Sequence, residues 1–112
     1  MTKSREQLVS RALEELGVLA AGQAPSAEDA QTIDDEIDPV LEDLASRNIY
    51  TYGDLDSIDD NAFVHLAILL ANSKAKVFGS MPDEGVRMLA ETRLRMLTPA
   101  VVSGQPIRVE YY

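Results

Sequence analysis

Cysteine and tryptophan are absent from this chain, and histidine occurs once. Without cysteine there is no disulfide framework, no thiolate nucleophile and no zinc-thiolate site, a pattern that fits a reducing compartment. One histidine, His65, excludes a two-histidine metal motif and leaves any base role without a cysteine partner. Positive charge is also scarce: 10 Lys and Arg stand against 19 Asp and Glu, for a net charge of -9. Sequence-independent binding to DNA or RNA draws on Lys and Arg displacing counterions from phosphates, so this balance argues against it. No run approaches the roughly 20 apolar residues of a membrane-spanning helix. The opening "MTKSREQLVSRALEEL" scatters charges through its apolar positions, unlike a signal peptide. The expectation is a chain that is cytoplasmic when made, with no membrane partner. The phosphate-binding and nucleophile-elbow patterns G-x-x-x-x-G-K-[ST], G-x-G-x-x-G and G-x-S-x-G are missing as well.

What is present describes a globular domain. The 112 residues are 46% hydrophobic and 26% charged, too apolar for a wholly disordered chain. At this size folding removes about 65% of the unfolded surface from water, enough for one modest core. The charge is unevenly spread. Residues 26–60 hold twelve carboxylates against Arg47 alone, whereas residues 61–112 hold Lys74, Lys76, Arg87, Arg93, Arg95 and Arg108 against four carboxylates. Two readings fit this asymmetry: solvated helix faces, or copies that pack acidic half to basic half.

Four amphipathic segments follow one another. Ser4 and Gln7 have capping-box spacing, Leu8, Val9, Ala12, Leu13 and Leu16 form one stripe, and Gly17 suits a left-handed stop. Ser26 starts a second helix with Glu28 and Asp29 in its first turn, and Ala30, Ile33, Ile37, Val40, Leu41 and Leu44 form its stripe. Pro39 interrupts the hydrogen bonding of that helix without breaking the phase of the stripe, so one kinked helix ending near Arg47 is expected. Ser57 and Asp60 repeat the capping spacing ahead of "AFVHLAILLANSKAKVFG", which is apolar on two sides and therefore central, with Gly79 as its stop. Its first face is Phe63, Leu66, Ala67, Leu70, Ala71, Val77 and Phe78; its second is Val64, Ile68 and Leu69. A fourth helix carries Pro82 in its first turn, a stripe of Val86, Leu89, Ala90, Leu94 and Leu97, and a stop at Thr98-Pro99. The expected fold is all-α, a bundle of about four helices over residues 1–98, followed by an extended arm at 99–112.

Candidates for chemistry are few. "DLDSIDDN" begins like a calcium loop at Asp54 and Asp56, but the fifth, sixth and twelfth positions hold Ile58, Asp59 and His65, so capping explains it better. Asp34, Asp38 and Glu42 recur one helical turn apart, a spacing able to hold a hard cation or supply an acid–base pair, yet nothing in the sequence buries them. His65 sits in apolar context and reads as a core or interface residue. No catalytic residue, metal ligand or cofactor is expected, and an enzyme is poorly supported.

The stretch "PIRVEYY" changes period: Ile107, Val109 and Tyr111 would point one way, Arg108, Glu110 and Tyr112 the other. A local hairpin or a tail lying on its own helices is one reading; the other is a strand that pairs with another protein, which makes Ile107, Arg108, Val109, Tyr111 and Tyr112 candidate partner-binding residues. The order of helices, the Leu16 to Val18 turn, the "PSAED" start at Pro25 to Asp29 and "SIDDNAFVHLAILLANSKAKVFG" together resemble the head-to-tail adaptor (connector or tail accessory) proteins of tailed bacteriophages and prophages. The similarity covers roughly residues 5–98; Pro39 and the short arm depart from the family's pattern. The resemblance implies a non-enzymatic virion protein at the head–tail junction. It implies a ring, commonly of twelve copies, under the portal protein, with the arm on the portal, tail or further connector proteins docking below, and genomic DNA passing through. The alternative is a small helical regulatory module that binds a partner peptide or helix.

Overall fold

Ser4 opens the first helix as its spacing predicts. The computed structural model describes residues 2–20, 22–51 and 57–97. In α1, Arg5–Glu15, the Ser4 hydroxyl accepts the Gln7 N–H at 3.2 Å while the Ser4 N–H donates to Gln7 Oε1 at 2.8 Å. At the other end Gly17 takes φ 76°, the Gly17 N–H donates to Glu14 O and the Val18 N–H to Leu13 O. That pair of bonds is a Schellman stop, which a left-handed residue makes possible.

α2, Ala27–Ser46, is capped by Ser26, whose hydroxyl accepts the Asp29 N–H. It is one unbroken helix through Pro39. Pro39 lies on the exposed side, so the carbonyl deprived of its N–H partner is not trapped in the core. Of the predicted stripe, Ile33, Ile37, Leu41 and Leu44 are each at most 2% exposed, while Ala30 and Val40 are partly buried beside them.

α3, Asp60–Ser73, is the central element and packs against α1, α2 and a fourth helix, α4, Glu84–Leu97. Its two ends differ from the sequence reading. Ile58–Asp59 pairs antiparallel with Thr2–Lys3 as a two-residue ladder, so Ser57 does not cap; Asp59 is the N-cap and makes no side-chain cap bond. The helix expected to run to Gly79 stops at Ser73, and Ala75–Phe78 forms a 3-10 turn. Burial of Ala75, and the Ser80 N–H donating to Ala75 O, tighten the chain there before Gly79 reverses it at φ 81°. Val77, expected in the core, is therefore exposed.

Pro82 precedes α4 instead of lying in its first turn. Asp83 caps this helix, its Oδ1 accepting the Val86 N–H, and Asn72 Oδ1 accepts the Asp83 N–H at 2.7 Å. Of the ten largest fully buried side chains, only Leu94 comes from α4; Leu8, Leu13, Ile33, Ile37, Leu41, Leu44, Ile49, Leu66 and Leu70 come from elsewhere. At roughly 1.5–3 kcal/mol for each buried Leu or Ile, the stability of the body resides in α1, α2 and α3. The fold class is all-α with four helices, as expected. Among the described residues no helix is long and apolar enough to cross a membrane. The division at residue 98 and the arm at 99–112 lie outside the described residues.

Candidate interaction surface

α4 carries seven apolar side chains and buries only Ala90 and Leu94 of them. Its inward edge is Ala90, Glu91 and Leu94, with Arg87 half-buried beside them. The expected stripe shared Ala90 and Leu94 but also included Val86, Leu89 and Leu97, which are exposed. The helix is rolled about its axis relative to that expectation, with Glu91 on its inward edge.

The Glu91 carboxylate is the one buried charged or polar residue among the described residues, and two arginines hold it. Arg47, at the end of α2, donates from Nη1 to Oε1 at 3.1 Å and from Nη2 to Oε2 at 2.8 Å, the bidentate geometry that favours arginine. Arg87, one turn earlier in α4, donates from Nη1 to Oε2 at 2.6 Å. Asp43 holds Arg47 from the other side, at 2.6 Å, and Glu84 does the same for Arg87. The bond from Arg47, and then that from Arg87, pull the Glu91 carboxyl below its ordinary range against the opposing effect of burial. Glu91 thus acts as a clip between α2 and α4. Its sequence signal was Arg47, the single basic residue among residues 26–60, together with the Glu84, Arg87, Glu91 spacing.

Rolling α4 onto this clip turns its remaining apolar residues outward. Met96 is 68% exposed and Leu89 57%; Val86, Met88 and Leu97 are exposed too, as is Met81 just before the helix, at 83%. On a 3.6-residue period Gly85, Leu89, Thr92 and Met96 share the outermost line of the helix. Two grooves flank it. One, of about 350 Å³, runs between α2 and α4, with Glu36, Asp43, Arg47, Arg87 and Glu91 around Val40, Leu44 and Leu69. The other, of about 220 Å³, is lined by Leu16, Ile68, Ala71, Ala75, Met81 and Val86, with Glu15, Asn72 and Ser80 at its rim.

The other candidates are placed as follows. Arg5 donates from Nε to Asp34 Oδ1 at 2.7 Å and from Nη1 to Asp38 Oδ1 at 3.4 Å, so these two carboxylates neutralise a cation of the same chain. Glu42 is exposed and is not part of that pairing. No group of three or more His, Asp or Glu able to hold a metal occurs among the described residues. His65 is half-buried on α3, its pKa pushed down by burial first and by Arg93 second. Asp54 and Asp56 of the calcium reading, and Ile107, Arg108, Val109, Tyr111 and Tyr112, lie outside the described residues. A scan of protein-family models, a search of curated proteins and a search of solved structures each return no match.

Proposed function

We propose that this chain is a structural adaptor of a tailed-phage particle. Copies join in a ring under the portal protein, extend the channel through which genomic DNA passes, and give tail or further connector proteins a surface to dock on. The observation that carries this reading is the outward apolar face of α4, which the body does not use and which immediately precedes residues 98–112 in the chain. Apolar surface gathered on one face of a small domain is the usual mark of a protein partner. The exposed carboxylates of α2, Glu28, Asp35 and Glu42, support it from the other side, since a negative wall lets DNA slide without sticking.

The test mixes the portal ring from the same genome with the whole chain and with a chain ending at residue 98. Negative-stain images should show an added ring layer for the whole chain and a weaker one for the shortened chain. Equal binding by both refutes the role of the arm, and binding by neither refutes the adaptor reading. The groove lined by Leu16, Ile68, Met81 and Val86 favours a second reading, a small regulatory module that receives a partner's peptide or helix. Proton–nitrogen spectra that remain those of a compact monomer and shift only with a host protein would select it.

A further inference from the structure

We propose that α4 is a latch: it opens as one unit while α1, α2 and α3 stay folded, and the ionised Glu91 carboxylate holds it shut. The body closes without it. α1 packs on α2 and α3, α2 packs on α3, and the ladder between Thr2–Lys3 and Ile58–Asp59 ties the start of α1 to the start of α3. α4 adds only Ala90 and Leu94 to the apolar core. It packs on α3 and reaches α2 by side chains, across the groove where Arg47 meets Glu91. The connector from α3 has a joint at the 3-10 turn Ala75–Phe78 and another at Gly79, with Val77 and Met81 exposed along it. An element with few buried apolar contacts opens ahead of the rest of a fold.

The charges around Glu91 set the direction of the switch. From the end of α2 come Arg47 and, behind it, Asp43; from α4 come Arg87 and, behind it, Glu84. The titratable residues of α3 are Asp60 and His65, and neither lines this groove, where α3 presents Leu69, Asn72 and Ser73. Glu36, in the same groove, is taken by Ser73 and Lys74. Arg47 Nη2 and Arg87 Nη1 both donate to Glu91 Oε2, at 2.8 and 2.6 Å. A proton on Glu91 removes the negative charge between them and leaves two guanidiniums facing each other across the seam between α2 and α4. His65 adds to this away from the groove: burial first, and Arg93 of α4 second, disfavour its cationic form, so acid sets like charges between α3 and α4.

The latched form thus binds fewer protons than the open one at both groups. Closure is complete above the ordinary histidine value of 6.5 and is lost as pH falls, with the main loss as Glu91 protonates below 4.5. Opening uncovers the side of α3 that lies between the two grooves, where Ile68 and Leu69 sit. The latch goes beyond the adaptor reading and does not depend on it.

Because the chain has no cysteine, one introduced thiol reports each element. In the whole chain, Leu94→Cys places a thiol under α4 and Leu41→Cys places one under α2, both at buried positions. Labelling by dithiodipyridine, relative to the unfolded chain at the same pH, should be about tenfold faster or more for Leu94→Cys at about pH 4 than at neutral pH, the factor that loss of one bond to a charged group commands. Leu41→Cys should stay protected at both. Adding Glu91→Gln should make the Leu94→Cys thiol reactive at neutral pH and remove most of its acid response. Amide exchange of the natural chain, corrected for intrinsic rates, reads the same opening without substitution: amides within residues 85–97 should lose protection in acid while those of α2 keep theirs. Exposure of both helices together is global unfolding and overturns the latch. So does α4 protection that is the same in acid as at neutral pH, or an acid response that Glu91→Gln leaves undiminished. Portal binding is read in a separate assay, so either conclusion fails without the other.

Discussion

α2 and α4 rest on the same central helix with comparable numbers of apolar residues, yet they spend them in opposite ways. α2 turns Ile33, Ile37, Leu41 and Leu44 into the core and shows carboxylates to solvent. α4 gives the core Ala90, Leu94 and a carboxylate, and shows solvent Val86, Met88, Leu89, Met96 and Leu97. The difference lies in what anchors each helix. Apolar packing places α2, with the Arg5 pairs to Asp34 and Asp38 at its rim, so its stripe and its inward face coincide. A directional ion cluster places α4, and Arg47 reaching across from α2 fixes which edge faces inward whatever the apolar pattern prefers. Surplus apolar surface on a helix held this way is available to another molecule.

The sharpest contrast comes from truncating one buried side chain on α2. Leu41→Ala should cost about 2–5 kcal/mol in denaturant unfolding, because the lost transfer energy and the cavity add. A loss under about 1 kcal/mol would mean that the α2 stripe is not the anchor described. Glu91→Ala should cost less, about 1–3 kcal/mol, since it strands Arg47 and Arg87 but leaves both within reach of water. Amide hydrogen exchange should show that loss concentrated in α4, with α2 nearly unchanged.

Acid should act on the same clip. Glu91 has a lowered pKa in the folded chain, so its contribution is complete above the ordinary value of 4.5 and is lost as pH falls through the depressed one. Unfolding free energy should therefore fall more steeply below pH 4.5 in the natural chain than in Glu91→Gln; parallel curves would remove Glu91 from the anchor. The smallest effect belongs to the outward line. Leu89→Ser, measured in dilute solution where copies are apart, should change stability by about 0.5 kcal/mol or less. A large loss there would show that α4 does use this side chain in its own fold.

Features fixed by neighbours in the chain were legible in advance. Ser4 with Gln7, Gly17, Ser26 and the α2 stripe are local or periodic signals, and each takes its expected place. The break after Ser73 was not, because Ala75 is drawn inward by the packed body while the residues around it keep a helical pattern. Nor was the ladder between Thr2–Lys3 and Ile58–Asp59, two residues long on each side and too short for an alternating signal. The roll of α4 depended on a contact between residues 47 and 91 that no local window contains. The candidate surface was thus half visible: Val86, Leu89 and Leu97 were named but assigned to the core, Met81, Met88 and Met96 were not singled out, and the arm residues fall outside the described structure.

Hydrogen exchange on the whole chain, followed amide by amide in dilute and in concentrated solution, addresses the division of labour between these two helices. If α4 carries the association face, amides within residues 85–97 gain protection on concentration while those of α2 stay the same. Gain along the outer side of α2, with α4 unchanged, would contradict it.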